Sequence, residues 1–130
     1  MRREGADVTV ISTSYLLESV LQVADELGQS SGISVEVIDP RTLVPLDFEM
    51  IAKSVMKTGK MLVVQECTPV SSFGGEIVRR VSEECFDYLD SPPKVLGTDH
   101  VPMPFSGVLE DSCMPMPEKI AGAIRNVARG

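Results

Sequence analysis

The chain has 130 residues, a formal net charge of −7 at pH 7 and 43% hydrophobic residues. This composition is that of one ordinary folded domain, and it excludes a disordered chain, which combines low hydrophobicity with high net charge. The acidic balance argues against a nucleic-acid partner and against an anionic membrane surface, because both are bound through basic residues.

The three cysteines, Cys67, Cys85 and Cys113, are odd in number and widely spaced. Neither a disulfide framework nor a zinc site is predicted, and no acid stands at metal-ligand spacing from the single histidine, His100. There is also no apolar stretch of signal-peptide or membrane-spanning length. We therefore expect a reducing location: the bacterial cytoplasm, or the mitochondrial matrix or plastid stroma with a targeting peptide removed.

The first half of the sequence alternates between strand and helix patterns. Residues 7–12 are a β-branched run, and residues 16–27 carry apolar side chains at helical spacing up to Gly32, which suits a helix end. Residues 34–39 alternate as a second strand. Asp47 is a good N-cap for a helix that ends near Gly59. The residues of this helix predicted to face inward are Phe48, Ile51, Ala52, Val55 and Met56.

The alternation continues in the second half. Residues 60–66 read as a third strand, a third helix is predicted from about Gly75 to Leu89, and residues 94–97 read as a short fourth strand. A proline-rich segment, residues 100–117, is predicted to be extended and to expose apolar side chains. Pro117 suits the first turn of a final helix.

Strands that alternate with helices of this length predict a three-layer α/β/α sandwich around a mostly parallel sheet, and the absence of a linker predicts one domain over residues 1–130.

The strand ends offer candidate sites. A dinucleotide site needs glycines in the first turn and an acid after the second strand; Asp39 supplies the acid, but the turn Ser12-Thr13-Ser14-Tyr15 has no glycine. Dinucleotide binding is therefore not expected. The hydroxyls of residues 12–14 are predicted to cap the following helix, with an anion site at its N-terminus as the alternative.

Other motifs carry weak catalytic signals. Residues 73–76 (FGGE) lack the lysine of a phosphate-binding loop, so tight packing at a helix start or contact with another subunit is predicted. Asp99 and His100 form a candidate acid/base pair, with a solvated histidine as the alternative. No serine has the surroundings of a nucleophile elbow. We assign no catalytic, cofactor-binding or metal-ligating residue.

Five segments, in this order, resemble the beta subunit of pyruvate dehydrogenase. They are residues 37–47 (VIDPRTLVPLD), 54–59 (SVMKTG), 73–77 (FGGEI), 83–92 (EECFDYLDSP), and 101–105 (VPMPF) with 109–111 (LED). The resemblance covers nearly the whole chain and identifies it as similar to the C-terminal domain of that subunit, which has a transketolase C-terminal-like fold.

The resemblance implies an enzyme of two alpha and two beta subunits that decarboxylates a 2-oxo acid and acylates the lipoyl groups of an acyltransferase. In that family, thiamine diphosphate and Mg lie between the alpha subunit and the N-terminal domain of beta. The printed sequence does not contain the residues of that domain. We therefore expect the isolated chain to bind no thiamine diphosphate and to be inactive, and to self-associate through surface meant for the alpha and second beta subunits.

One partner-binding residue, Asp90, is implied by the resemblance. In the family, the aspartate of the motif at residues 86–92 contacts the subunit-binding domain of the dihydrolipoyl acyltransferase, together with the C-terminus of the chain. A physical argument points the same way. If Asp90 ends a helix, its charge meets the negative end of the helix dipole, so the position is locally unfavourable. A capping or solvated role for Asp90 is the alternative.

The sequence departs from the family pattern at two places. Gln65 stands where histidine is common, and residues 97–100 (GTDH) replace a glycine followed by small residues. Substrate choice stays open: residues 102–105 (PMPF) with 109–111 (LED) favour pyruvate over a branched-chain 2-oxo acid, whereas residues 105–111 also resemble acetoin dehydrogenase beta subunits, and a branched-chain 2-oxo acid is a further alternative. A free-standing domain that binds a small ligand or has a regulatory role, using the 12–14 turn, is the alternative of another class.

Overall fold

The computed structural model describes all 130 residues, in which strands alternate with helices. The strands are β1 (Val8–Ser12), β2 (Val35–Ile38), β3 (Met61–Val64) and β4 (Lys94–Leu96). The helices are α1 (Leu16–Ser31), α2 (Phe48–Thr58), α3 (Phe73–Glu84), α4 (Gly107–Cys113) and α5 (Pro117–Arg129), and a 3₁₀ turn (Phe86–Tyr88) follows α3. No helix combines the length and the apolar character needed to cross a membrane.

The four strands form one parallel sheet in the order β2-β1-β3-β4. Every strand therefore ends at the same edge, which we call the carboxyl edge; the opposite one is the amino edge. An N-terminal arm runs along the outside of β2, where Arg3 forms an antiparallel bridge with Val37. The predicted parallel α/β sheet is confirmed.

Helices cover both faces of the sheet, because side chains alternate across each strand. Val10 points to the face covered by α1 and α5, and the neighbouring Ile11 points to the face covered by α2 and α3. Both side chains are buried, and burying such a residue stabilises the fold by about 1.5–3 kcal/mol. The three-layer sandwich predicted from the alternating pattern is thus the observed one.

The predicted helix signals at Gly32, Asp47 and Pro117 act as expected. Gly32 ends α1 with φ 66°, a left-handed conformation that glycine adopts without strain. The carboxylate of Asp47 accepts a hydrogen bond from the Met50 amide at 3.1 Å and so caps α2. Pro117 lies in the first turn of α5. These local signals are why the helix boundaries follow from the sequence at these places.

A polar seam lies beneath α2. Glu36 on β2 is 1% exposed, and its Oε2 accepts hydrogen bonds from the Gly5 amide and from Lys57. Thr9 on β1, opposite Glu36 in the register, shares hydrogen bonds of 2.7 Å with the hydroxyls of both Ser54 and Thr58. The seam thus fixes α2 against the sheet and also holds the N-terminal arm.

The third helix differs from the prediction. It begins at Phe73, not Gly75, because the Ser72 hydroxyl accepts a hydrogen bond from the Gly75 amide and starts the helix earlier. It ends at Glu84, since Cys85 leaves helical geometry with φ −121°. The chain then tightens into the 3₁₀ turn, and Leu89 lies beyond any helix.

Two further expectations are wrong. The proline-rich segment is not extended throughout, because α4 interrupts it. The seven residues of α4 include no proline. Met56 is exposed, because the buried face of α2 is formed by residues such as Ile51 and Val55, and Met56 lies outside that face. The predicted exposure of apolar side chains in the segment is confirmed, with Phe105 fully exposed.

Candidate functional site

Asp90 lies at the amino edge of the sheet, after the 3₁₀ turn and beside the end of α2. Its amide donates a hydrogen bond of 2.8 Å to the carbonyl of Gly59, the residue that ends α2 with φ 67°. Its carboxylate packs directly over Gly59, where a Cβ would collide with Oδ2 of Asp90. The absence of a side chain at Gly59 therefore allows the Asp90 carboxylate to take this position.

The prediction that Asp90 ends a helix is wrong, because α3 ends at Glu84 and only a 3₁₀ turn precedes Asp90. The helix terminus that Asp90 meets is instead the C-terminal end of α2, at Gly59. A carboxylate beside a helix C-terminus is unfavourable by about 0.3–1 kcal/mol. Asp90 therefore meets an unfavourable helix dipole, but that of α2 and not of α3.

Cations near Asp90 are already engaged. A depression of about 410 Å³ is lined by Lys57, Lys60, Asp90 and Ala128 among others. Lys57 pairs with Glu36, and the ammonium of Lys60 donates to the carbonyl of Ala128 at 2.5 Å. The exposed Asp90 carboxylate is in none of the ion pairs of the structure. It is free to accept a cation from another molecule.

On its other side, Asp90 borders an open, mostly apolar cavity of about 530 Å³ formed by the 3₁₀ turn and the prolines that follow. Phe86 is 72% exposed at its rim, and Asp87 adds a second carboxylate. The hydroxyl of Ser91, which also lines the cavity, is buried without a hydrogen-bond partner. An apolar surface beside two carboxylates suits a ligand that carries both a cation and an apolar group.

Most of the exposed large apolar side chains lie at the carboxyl edge. Ten of the fourteen that are exposed lie in segments that follow the ends of the strands. They are Tyr15, Leu43, Val44, Val70, Val101, Met103, Phe105, Val108, Leu109 and Met116. A concentration of this kind marks an interaction surface more often than a free one.

The 12–14 turn does not act as predicted. Helix α1 begins after Tyr15 without a side-chain cap, because Ser14 takes a left-handed conformation, φ 55°. The Ser12 hydroxyl is buried and makes no hydrogen bond. Asp39 is engaged locally, since its carboxylate accepts a hydrogen bond of 3.0 Å from the Arg41 amide.

Gln65 is an organising residue that the sequence interpretation missed. Its Oε1 accepts a hydrogen bond from the Gly74 amide at 3.0 Å, and its Nε2 donates to the carbonyls of Cys67 and Thr68. A Cβ at Gly74 would collide with Gln65, which explains the tight packing at this helix start. The sequence did contain a signal for this contact: Gln65 follows the end of β3, and two successive glycines, Gly74 and Gly75, stand at the start of the next helix.

Asp99 and His100 are not brought together as an acid/base pair. The ring Nδ1 of His100 lies 3.1 Å from the Thr68 hydroxyl, and neither an ion pair nor a hydrogen bond joins it to Asp99. The Asp99 amide donates to the carbonyl of Cys113. Successive residues after a strand point in different directions, so adjacency in the sequence did not produce contact.

The structure assembles no group of three or more His, Cys, Asp or Glu side chains that could hold a metal ion. All three cysteines are unpaired, Cys67 exposed and Cys85 and Cys113 buried.

Comparisons with known proteins identify the family and support the fold. The transketolase C-terminal domain family matches residues 1–120. The chain is 40% identical to the acetoin:2,6-dichlorophenolindophenol oxidoreductase subunit beta of Bacillus subtilis and covers 35% of it, with 92% of this chain aligned. It is also 40% identical to the 2-oxoisovalerate dehydrogenase subunit beta of that organism, with 98% of this chain and 39% of the relative aligned.

A third relative is the mitochondrial pyruvate dehydrogenase E1 component subunit beta of Dictyostelium discoideum, 38% identical over 99% of this chain and 36% of its own length. The chain thus spans between about a third and two fifths of these relatives. A solved structure described as a split gene transketolase, inactive beta4 tetramer, superposes with a TM-score of 0.83 at 23% identity, over 98% of this chain and 41% of that one. This chain belongs to the transketolase C-terminal domain family.

Proposed function

We propose that the chain is the C-terminal domain of the beta subunit of a 2-oxo acid dehydrogenase, in which it joins subunits and docks the acyltransferase. The observation that carries the proposal is the alignment of at least 98% of the chain with beta subunits of a pyruvate dehydrogenase and a 2-oxoisovalerate dehydrogenase. The proposed enzyme decarboxylates its 2-oxo acid with thiamine diphosphate and Mg bound outside this domain. The chain itself contributes no catalytic residue.

Pyruvate is the proposed substrate, on the basis of residues 102–105 (PMPF) together with residues 109–111 (LED), which resemble pyruvate dehydrogenase. Acetoin is a second candidate substrate, because the chain is 40% identical to an acetoin oxidoreductase beta subunit and 38% identical to a pyruvate dehydrogenase beta subunit. The named relatives are bacterial and mitochondrial, which supports a location in the bacterial cytoplasm or the mitochondrial matrix; the plastid stroma is the third proposed location.

Substrate choice is testable in the assembled enzyme. The complete beta subunit that contains this domain is expressed with its alpha subunit, and turnover of pyruvate, 2-oxoisovalerate and acetoin is measured with an artificial electron acceptor. We expect the highest kcat/KM with pyruvate. A preference for acetoin supports the second candidate instead. If the assembled protein turns over neither pyruvate nor 2-oxoisovalerate nor acetoin, the proposed enzyme class is wrong.

The docking role is proposed for Asp90, as part of a site for the basic subunit-binding domain of the acyltransferase. Three features support it: the carboxylate has no cationic partner, it lies next to the exposed ring of Phe86, and its depression includes Ala128 near the end of α5. A carboxylate beside the C-terminus of α2 gains more than a solvated one from an added cation, because the cation also offsets the helix dipole. Two copies of the domain in one enzyme present two such carboxylates.

The experiment is a calorimetric titration of the subunit-binding domain into the reconstituted heterotetramer. Asp90→Ala is expected to weaken binding by roughly 2 kcal/mol or more, the cost of removing one partner from a desolvated charge pair. Asp99→Ala is the matched control, because Asp99 is an exposed aspartate at the opposite edge of the sheet. Equal affinity of wild type and Asp90→Ala at low salt would remove Asp90 from the site.

A further inference from the structure

We propose that the N-terminal arm, residues 1–7, is a strap that opens and closes over the outer side of β2, and that the buried Glu36 and its partner Lys57 lock it in the closed position. The rest of the domain stays folded when the strap opens. The lock lies inside the domain, so its contacts do not depend on which surfaces of the chain are free.

The arm is held to β2 chiefly by hydrogen bonds. None of its seven residues is buried, and none of their side chains joins the two apolar clusters that form the core. The amides of Arg2 and Arg3 donate to the carbonyl of Val37, and the Val37 amide donates to the Arg3 carbonyl at 2.9 Å. Segments with few buried apolar contacts open locally, at a lower free energy than the whole domain. The arm can therefore detach while the sheet stays intact.

One contact of the arm differs from the others, because it reaches a charged group in the interior. The Gly5 amide donates to Oε2 of Glu36 at 3.1 Å, and Lys57 donates to the same oxygen. The Glu36 residue is 1% exposed. A hydrogen bond to an ionised group is roughly twice as strong as one between neutral groups. Gly5 is therefore the point at which the arm is held most firmly.

A carboxylate is costly at position 36, which indicates a use beyond packing. The neighbouring residues Val35, Val37 and Ile38 are all buried and apolar. Oε1 of Glu36 is buried without a hydrogen-bond partner. Such an atom is destabilising, and a buried ion pair often stabilises a fold no more than apolar residues of similar size would. What the carboxylate provides, and an apolar side chain cannot, is an acceptor for the amide of the arm.

Glycine at position 5 allows the lock to close. A Cβ on Gly5 would lie 2.3 Å from the amide nitrogen of Glu36 and 2.3 Å from the carbonyl carbon of Val35. Both atoms belong to the backbone of β2, which cannot give way without disturbing the strand. Alanine at this position should therefore hold the arm away from β2 without altering any charge.

Hydrogen exchange of single amides, followed by NMR on the chain labelled with ¹⁵N, separates opening of the strap from unfolding of the domain. The reporter is the Val37 amide, which is bonded to Arg3 of the arm. The reference is the Thr9 amide, which is bonded to the Lys60 carbonyl beside β3. In the wild-type chain we expect Val37 to be protected at least about tenfold less than Thr9. Equal protection would overturn the proposal, because the arm would then open only when the domain unfolds.

Three substitutions test the lock. Glu36→Gln removes the charge and keeps the shape, so it should lower the protection of Val37 at least about tenfold more than that of Thr9. Gly5→Ala should do the same through steric contact. Glu49→Gln is the matched control, because Glu49 also pairs with a lysine of α2 but is exposed. It should change the protection of Val37 less than about twofold.

The double variant shows whether Glu36 acts through the arm. With the arm already displaced by Gly5→Ala, adding Glu36→Gln should speed exchange at Val37 by less than about twofold, since residues that act on one contact are not additive. If the two effects multiply, Glu36 acts on β2 without the arm and the proposed lock is wrong. An effect of Glu49→Gln as large as that of Glu36→Gln would also overturn it.

Discussion

Gly59 and Gly32 provide a matched pair of substitutions for testing the packing of Asp90. Both glycines end a helix in the left-handed conformation, with φ of 67° and 66°. A Cβ at Gly32 meets nothing within 4 Å, whereas a Cβ at Gly59 collides with the carboxylate of Asp90 and comes within 3.3 Å of the Tyr88 carbonyl. Replacing each glycine with alanine therefore separates conformational strain from steric contact.

The magnitudes follow from these two terms. Left-handed alanine costs roughly 1–2 kcal/mol, and this is the whole expected effect of Gly32→Ala. Gly59→Ala carries the same strain plus the smaller cost of turning the exposed Asp90 carboxylate aside and of the close approach to the Tyr88 carbonyl, about 0.5–1.5 kcal/mol. A domain of ordinary stability, about 5–15 kcal/mol, tolerates both changes and stays folded.

Urea unfolding followed by circular dichroism measures the difference. With a typical urea dependence of about 1–3 kcal/mol per molar, the midpoint of Gly59→Ala should lie clearly below that of Gly32→Ala. In an Asp90→Ala background the two glycine substitutions should converge, because the contact that distinguishes them is mostly gone. If Gly59→Ala costs no more than Gly32→Ala in the wild-type background, the close packing of Asp90 on Gly59 is incorrect.

Three further outcomes are expected. Burial would raise the pKa of Glu36, but the hydrogen bonds from Lys57, Ser54 and the Gly5 amide, together with the charge of Lys57, outweigh it and lower the pKa. The resulting stabilisation is present above the unfolded-state pKa and is lost as the pH falls through the lowered folded-state pKa, so Glu36→Gln should flatten the acid side of a stability–pH curve. Burial raises the pKa of Cys85, so iodoacetamide should modify the exposed Cys67 of the native chain and leave Cys85 unmodified, as mass spectrometry would reveal. The isolated chain should self-associate in sedimentation experiments, and Phe105→Ser should weaken that association; a wild-type chain that stays monomeric at high concentration would contradict it.

Much of the fold follows from patterns that act locally. The β-branched run of β1 and the spacing of Val20, Ala24 and Leu27 in α1 depend on neighbours within a few residues, and each of these side chains is buried as its pattern predicts. Asp47 and Gly32 are equally local signals. The layering of helices on both faces of a parallel sheet then follows from the alternation of elements, whereas the strand order β2-β1-β3-β4 was not predicted.

The predictions fail where contacts between residues distant in the sequence determine the local structure. Helix α3 ends before Cys85, which is buried and leaves helical geometry. Cysteine is not a helix-stop residue, so the sequence does not indicate this end. Helix α4 carries glycine at its start and too few apolar residues for a helical pattern. The side chain of Gln65 accepts a hydrogen bond from the amide of Gly74, nine positions away, and periodicity cannot reveal such a contact. Asp90 was assigned through the resemblance, and its contact with Gly59 spans 31 positions in the chain, too far for a local pattern.

The N-terminal arm has a consequence for how copies of this chain can associate. By pairing with Val37, Arg3 occupies hydrogen-bonding groups on the outside of β2 that would otherwise be available to a strand from another molecule. At the other end of the sheet, β4 is only three residues long and begins with the exposed Lys94, a length and charge that discourage strand addition. Both borders of the sheet are thus protected against continuous β-pairing. Association of copies should therefore proceed through side chains, stay finite and reverse on dilution, and fibrils should not form while the arm remains in place.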